Sequence, residues 1–113
     1  MQLSIGQSAG ALVIDVLETR LDAAVALAFK DAIRSATAHP GSPVILGLSN
    51  VEFMDSSGLG AIVGAMKLLG AERPLELAAP SVGVMKVFRL TRMDTVFRIH
   101  DELPQMRDLS AAE

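Results

Sequence analysis

Two adjacent serines near the middle of the chain are the residues best placed for chemistry. Ser56 and Ser57 follow Asp55, after an apolar run and before a segment with helical periodicity. The first turn of a helix has unpaired backbone N–H groups and partial positive charge, so it accepts a hydroxyl cap and tolerates a phosphate. The spacing leaves two interpretations open: a hydroxyl cap alone, or a cap that is also reversibly phosphorylated.

Enzymatic roles for this serine pair are disfavoured. A serine nucleophile needs a positioned base, but His39 adjoins a Pro-Gly turn and His100 lies near the far end of the chain. Met54 also stands where the hydrolase elbow requires glycine. We therefore predict that the chain is not an enzyme.

Cofactor sites are not indicated either. The glycines after the serines are not followed by the Lys and Ser or Thr of a phosphate-binding loop. The two histidines form no His/Asp/Glu cluster with metal-ligand spacing, so we expect both in solvated loops. The sequence thus predicts neither a metal nor another cofactor.

Composition points to a small cytoplasmic protein. The chain has 113 residues, no cysteine and a formal net charge of −3. Scattered basic residues disfavour direct nucleic-acid binding. The absence of a signal-like start, and of an apolar run of ~18 residues, argues against secretion and membrane insertion. Without long coiled-coil heptads, we expect a monomer.

The apolar pattern predicts an α/β domain with about five strands and four helices. β-Branched runs bounded by turn signals indicate strands, whereas apolar residues three and four apart indicate helices. Their alternation favours parallel pairing, with helices covering the sheet. The strands are expected at about 2–6, 11–17, 44–48, 75–79 and 95–99, and the helices at about 22–38, 57–70, 80–90 and 101–109, before a short polar tail from about 109.

Individual side chains can be placed within this pattern. Asp22 is expected to cap the first helix. Asp15 is expected on an exposed strand face, and Phe53 and Met54 are expected to pack under the second helix.

Small residues distinguish the second predicted helix. Gly60 and Gly64 are four residues apart and adjoin Ala61 and Ala65, which leaves one side of the helix nearly smooth. Either a partner backbone approaches closely there, or these residues face the sheet and permit close internal packing.

The sequence resembles the STAS family, the sulphate transporter and anti-sigma factor antagonist domains, and especially its small bacterial anti-sigma factor antagonists. The resemblance spans nearly the whole chain, as one STAS domain over residues 1–113. Its strongest part is the segment 51–60, Val-Glu-Phe-Met-Asp-Ser-Ser-Gly-Leu-Gly, which is similar to the phosphorylation segment of the family. Residues 20–23, Arg-Leu-Asp-Ala, resemble the loop entering its first helix.

The resemblance implies a STAS fold, with a small mixed sheet, and a partner switch. In such proteins the unphosphorylated antagonist binds an anti-sigma factor that is also a serine kinase, which frees a sigma factor. Phosphorylation ends the binding, and a serine phosphatase restores it. The nucleotide site would belong to the kinase.

By position in the motif, the implied phosphate acceptor is Ser56, with Ser57 as a cap or the alternative acceptor. Asp55 would position or recognise the acceptor. The implied partner-binding residues are Arg20, Asp22, Asp55, Ser56, Ser57, Gly58, Gly60 and Gly64.

Two further expectations come with the resemblance. Thr19-Arg20 stands where these domains commonly have Gly-Glu, which reverses a charge in a partner-facing loop. The alternative function is that of a STAS subunit of a membrane transporter ATPase complex, which is not phosphorylated.

Overall fold

The structure is a computed structural model that describes residues 1–109, so most of the predicted polar tail lies outside the described residues. Within this range, six strands form one sheet and two form a small second sheet. The strands are β1 (Leu3–Ser8), β2 (Ala11–Val16), β3 (Arg20–Leu21), β4 (Val44–Gly47), β5 (Phe53–Met54), β6 (Leu75–Ala78), β7 (Ile99–His100) and β8 (Arg107–Asp108). The helices are α1 (Ala26–Ala36), α2 (Ser56–Leu69) and α3 (Val82–Leu90), with a 3-10 turn at Met93–Thr95.

The main sheet is mixed, with the strand order β7-β6-β4-β2-β1-β8. Strands β2, β4, β6 and β7 run parallel, as their alternation with helices requires. Strand β1 is antiparallel to both β2 and β8. A tight turn at Ala9 and Gly10, both with positive φ, joins β1 to β2. The α/β class and the mixed sheet are confirmed.

All three helices contribute to one apolar core with the same sheet face. In α1 the buried residues Phe29, Ile33 and Ala36 follow the predicted spacing, and in α3 they are Val84 and Phe88. Alternate residues of β2 point into this core, because side chains of a strand alternate between its faces. The main strand residues of this core are Leu12, Ile14, Val16, Val44, Leu46, Leu75 and Leu77.

The other face of the sheet is covered in part by the chain after β7. Leu103 and Met106 pack on a small buried cluster of Ala11, Val13 and Ile45 together with Ala78. No helix within residues 1–109 combines the length and apolarity needed to cross a bilayer.

The predicted helix at 101–109 is wrong. Residues 103–106 have no regular structure, and β8 pairs with β1 instead. Pro104 disfavours helical backbone at the preceding Leu103, which opposes a helix through this segment. Room for the extended path comes from two glycines: an added Cβ at Gly47 would lie 2.7 Å from Cδ1 of Leu103, and one at Gly6 would lie 2.8 Å from Cγ of Met106.

The remaining differences also reflect tertiary contacts. The predicted strand at 95–99 is reduced to β7, preceded by the 3-10 turn. The described residues therefore contain three α-helices rather than about four. His100, expected in a solvated loop, is half-buried in β7, where its Nε2 lies 2.7 Å from Oε1 of Glu76; His39 is exposed, as expected.

Asp15 is the most unusual residue of the covered face. It is only partly exposed, and its Oδ1 is buried without a hydrogen-bond partner among the described residues. Burial raises the pKa of the Asp15 carboxyl. The expectation that Asp15 lies on an exposed face is therefore wrong.

Candidate functional site

The serine pair lies at the beginning of α2, on the outer surface. Ser56 and Ser57 are the first two helical residues, and both are exposed. Neither hydroxyl has a hydrogen-bond partner among residues 1–109. Both oxygens are therefore accessible to a protein that approaches α2 from solvent.

The N-cap of α2 is Asp55, not a serine. Its Oδ1 accepts a 3.0 Å hydrogen bond from the backbone N–H of Gly58. An aspartate satisfies an unpaired donor of the first turn as well as a serine does. The prediction of a serine hydroxyl cap at this helix is wrong, and the hydroxyl of Ser56 is left without a structural role.

Asp55 also ties the start of α2 to the loop before α1. Its Oδ2 accepts from the backbone N–H of Ala23 at 3.3 Å, and its own N–H donates to the carbonyl of Leu21 at 3.3 Å. The hydrogen bond from Gly58 lowers the pKa of the Asp55 carboxyl, and the bond from Ala23 adds to this effect. The negative charge next to Ser56 is therefore stabilised by fixed backbone donors.

Asp22 acts in this loop rather than at the helix. Its Oδ1 accepts from the N–H of Ala24 at 3.1 Å, while α1 begins later, after Val25, which has no side-chain cap. The predicted cap role of Asp22 is wrong. The physical reason is that the N–H of Val25 donates to the carbonyl of Asp22 and closes a turn over residues 23–25, which the bond from Ala23 to Asp55 also holds.

Arg20 and Phe53 form the edge of the site. The Nε of Arg20 lies 3.1 Å from Oδ2 of Asp22, and its guanidinium carbon lies 4.4 Å from the centre of the Phe53 ring. Strands β3 and β5 bring them together by pairing Arg20 with Phe53. Phe53 is 43% exposed rather than packed under the helix, whereas Met54 is buried as expected.

The three glycines of α2 have different surroundings. Gly58 is buried, and an added Cβ would overlap the carbonyl oxygen of Leu21, so its missing side chain permits internal packing. Gly58 was expected among the partner-binding residues, but it is buried and therefore does not lie on the exposed surface. Gly60 is exposed with open space around it, and Gly64 is partly exposed beside Lys30. Ala61 and Ala65 take the positions that face the core.

The structure thus brings most of the predicted residues to one surface. Two strands and the start of α2 place the loop at 20–23 against residues 53–58. Gly64 lies two turns along α2, away from that cluster. Phe53 is part of this surface, although the apolar pattern placed it under the second helix. Its position next to the polar motif is the signal in the sequence that points to exposure.

The site offers no grouping suited to metal binding. Among residues 1–109, no three His, Cys, Asp or Glu side chains are close enough to hold an ion. Asp55 uses its oxygens on backbone donors, and the basic groups at the site are those of Arg20. The arrangement is an exposed polar surface in which the hydroxyl of Ser56 has no hydrogen-bond partner among residues 1–109.

Comparison with known proteins identifies the family of the chain. The sequence profile of the STAS domain matches residues 3–106. An anti-sigma F factor antagonist from Paenibacillus polymyxa is 43% identical over 56 residues, which are 50% of this chain and 46% of that protein. The chain therefore aligns with about half the length of this curated relative.

Solved structures share the fold. An anti-sigma factor antagonist from Mycobacterium paratuberculosis is 25% identical, with a TM-score of 0.76 over 88% of this chain and 84% of that chain. The anti-sigma factor antagonist SpoIIAA in its unphosphorylated form is 25% identical, with a TM-score of 0.67 over 87% of each chain. Together with the profile match over nearly the whole sequence, these likenesses show that the chain belongs to the STAS domain family.

Proposed function

We propose that the chain is an anti-sigma factor antagonist that works by partner switching in the cytoplasm. In its unphosphorylated form it binds an anti-sigma factor that is also a serine kinase, and this binding frees a sigma factor. The kinase transfers the γ-phosphoryl group of ATP to Ser56, and a serine phosphatase later removes it. The chain itself is the substrate and the ligand, not an enzyme.

The observation that carries this proposal is the free hydroxyl of Ser56. It is exposed in the first turn of α2, has no internal partner among the described residues, and leaves capping to Asp55. A residue that neither caps nor packs can be esterified at little cost to folding. The family membership and the antagonist relatives support the same role.

Phosphorylation at this position changes the surface much more than the fold. A phosphoserine adds ~1.5–2 negative charges. The helix start stabilises part of this charge, but Asp55 already uses the N–H of Gly58. A charge left buried and unpaired at an interface costs ~2–5 kcal/mol, or roughly 30- to several-thousand-fold in affinity.

The decisive experiment combines phosphorylation with binding. The chain is incubated with ATP and the purified anti-sigma factor kinase from the same cell, and the product is mapped by mass spectrometry. Phosphate is expected on Ser56 in the parent and in Ser57→Ala, the matched control, but not in Ser56→Ala. Phosphate on Ser57 alone would overturn the assignment of Ser56.

Binding of the same variants tests the switch. Ser56→Ala is expected to bind the kinase constitutively, whereas Ser56→Asp and Ser56→Glu are expected to bind poorly. If both acidic variants bind as tightly as the parent, charge exclusion is not the mechanism. That result would favour the alternative role in a transporter complex, where the serine is dispensable.

A further inference from the structure

A groove runs between α1 and α2, beyond the cluster at the start of α2. It encloses about 330 Å³, and its floor includes Ile33 and Ala65. The charged side chains that line it are Lys30, Arg34 and Lys67. The groove therefore combines an apolar floor with a basic rim.

Gly64 lines the groove on the α2 side, next to Lys30 of α1. A Cβ on Gly64 would lie 4.0 Å from Cε of Lys30, so the lysine stem lies across this part of α2. Leu68, which also lines the groove, is 54% exposed. The groove thus offers apolar area beside its charges.

The three basic groups have no acidic partner within the described part of the chain. Asp22 pairs with Arg20, and Glu76 pairs with His100, so neither acid neutralises the groove. Lys30 and Arg34 lie four residues apart on α1, where like charges repel each other. Helix α2 contains no acidic residue. A protein with a net charge of −3 therefore concentrates unpaired positive charge at this groove.

We propose that the groove binds an acidic, partly apolar segment of the same anti-sigma factor kinase; this inference rests on the proposed function. Carboxylates of the segment pair with Lys30, Arg34 and Lys67, while its apolar side chains cover Leu68 and the groove floor. The absence of aromatic side chains from this lining, and the negative net charge, favour a protein segment over nucleic acid.

The groove is continuous with the proposed docking surface around Ser56. The outer side of α2 leads from Ser56 past Gly60 and Gly64 to Lys67, eleven residues further on. At 1.5 Å per residue this is about 16 Å along the helix axis. One partner can therefore contact both ends of α2 at once.

The two ends of α2 then have separate tasks. Their separation of about 16 Å exceeds the Debye length of about 8 Å at physiological ionic strength. A phosphate on Ser56 therefore does little to neutralise the groove. Exposed charges of this kind accelerate association and make it dependent on salt.

The test uses association rates of the kinase with matched charge variants. The groove variant carries Arg34→Glu and Lys67→Glu, and the control carries Lys86→Glu and Arg89→Glu on α3. Both change the net charge from −3 to −7, because each substitution contributes −2. All four residues are exposed, and circular dichroism checks that both variants fold.

We expect the groove variant to associate about tenfold more slowly than the parent at low salt, and the control variant at most about threefold more slowly. The difference should disappear at high salt. Equal slowing of both variants would overturn the groove as the site. If the parent itself does not bind the kinase, the proposed function fails instead.

A second experiment tests, without the kinase, whether the groove binds an acidic amphipathic segment. A synthetic amphipathic helical peptide, with leucines on one side and glutamates on the other, is titrated into the isotopically labelled chain. We expect NMR shifts at the amides of Gly64, Lys67 and Leu68, which the groove variant and a peptide with glutamine for glutamate should not show. No shift there, or a shift only with single-stranded DNA, would overturn the proposal.

Discussion

At the amino end of α2, the charged Asp55 accepts hydrogen bonds from Gly58 and Ala23, whereas in its carboxyl half Lys67 has no partner among residues 1–109. The amino end is held in place by contacts within the chain, which keep Ser56 presented to solvent. The carboxyl half contributes charge without internal constraint. The difference teaches that internal partners provide geometry, and that exposed groups without them are available to other molecules.

The largest expected loss of stability follows from adding a side chain at Gly58, in the closely packed amino end of α2. In Gly58→Ala the new Cβ meets the carbonyl oxygen of Leu21 in the backbone of β3, which cannot move without breaking the pairing of β3 with β5. We expect a loss of about 3 kcal/mol or more in the free energy of unfolding, measured with urea. A loss below about 1 kcal/mol would show that this end is not rigidly packed.

The cap itself gives the next largest effect. Asp55→Ala removes an acceptor of two backbone N–H groups and should lower Tm by about 4–8 °C at neutral pH. Asp55→Asn is the intermediate variant: its amide oxygen can still accept from Gly58, but its Nδ2 cannot accept from Ala23, so it should lose less stability than Asp55→Ala. An unchanged Tm in the alanine variant would contradict the assigned cap.

The same residue gives a dependence on pH with a defined sign. Because folding lowers the pKa of Asp55, its charged form stabilises the fold above the ordinary pKa, and this contribution is lost as the pH falls through the folded value. The difference in Tm between the parent and Asp55→Ala should therefore narrow below about pH 4. If the difference in Tm stays constant down to strong acid, the charge of Asp55 is not the source of the stabilisation.

Gly60→Ala tests the exposed side of the same helix. No atom lies within 4 Å of the added Cβ, so the better helix propensity of alanine should raise the free energy of unfolding by about 0.5–1 kcal/mol. Binding to the kinase should weaken at the same time, because the methyl group lies on the proposed docking surface. Stabilisation without weaker binding would exclude Gly60 from that surface.

The smallest expected change in stability is that of Asp15→Asn. It tests whether a partly buried carboxylate oxygen without a hydrogen-bond partner destabilises the fold. The Asp15 carboxylate is partly buried without a partner for Oδ1 in the described chain, unlike the exposed Lys67. Folding raises the pKa of Asp15, so the fold loses stability as the pH rises from the ordinary to the folded value. The Asp15→Asn variant should therefore have a Tm about 2 °C above that of the parent at neutral pH. In strong acid the two Tm values should be equal, and calorimetry measures both.

The sequence predicted those features that short segments determine alone. Helix α2 begins and ends within one residue of expectation, because its apolar spacing is regular and Gly70 follows its last residue. The central strands β2, β4 and β6 were similarly evident from their β-branched and leucine-rich runs.

The structure differs from the sequence-based predictions where contacts between residues far apart in the chain determine the local structure. Ser81 caps α3 through a 3.3 Å bond from the N–H of Val84, so a serine cap is possible in this fold. At α2 the aspartate caps instead, and its second oxygen binds Ala23, 32 residues away. The groove between α1 and α2 could not be predicted, because it depends on how the helices pack.

The main sheet ends on both sides in strands of only two residues. Strand β7 lies at one edge and β8 at the other. So short an edge is a poor template for another strand, which protects a sheet from growing by addition of neighbouring molecules. The chain can thus keep an apolar interior without offering its sheet edges to neighbouring molecules, which leaves the exposed helices and loops as its accessible surfaces.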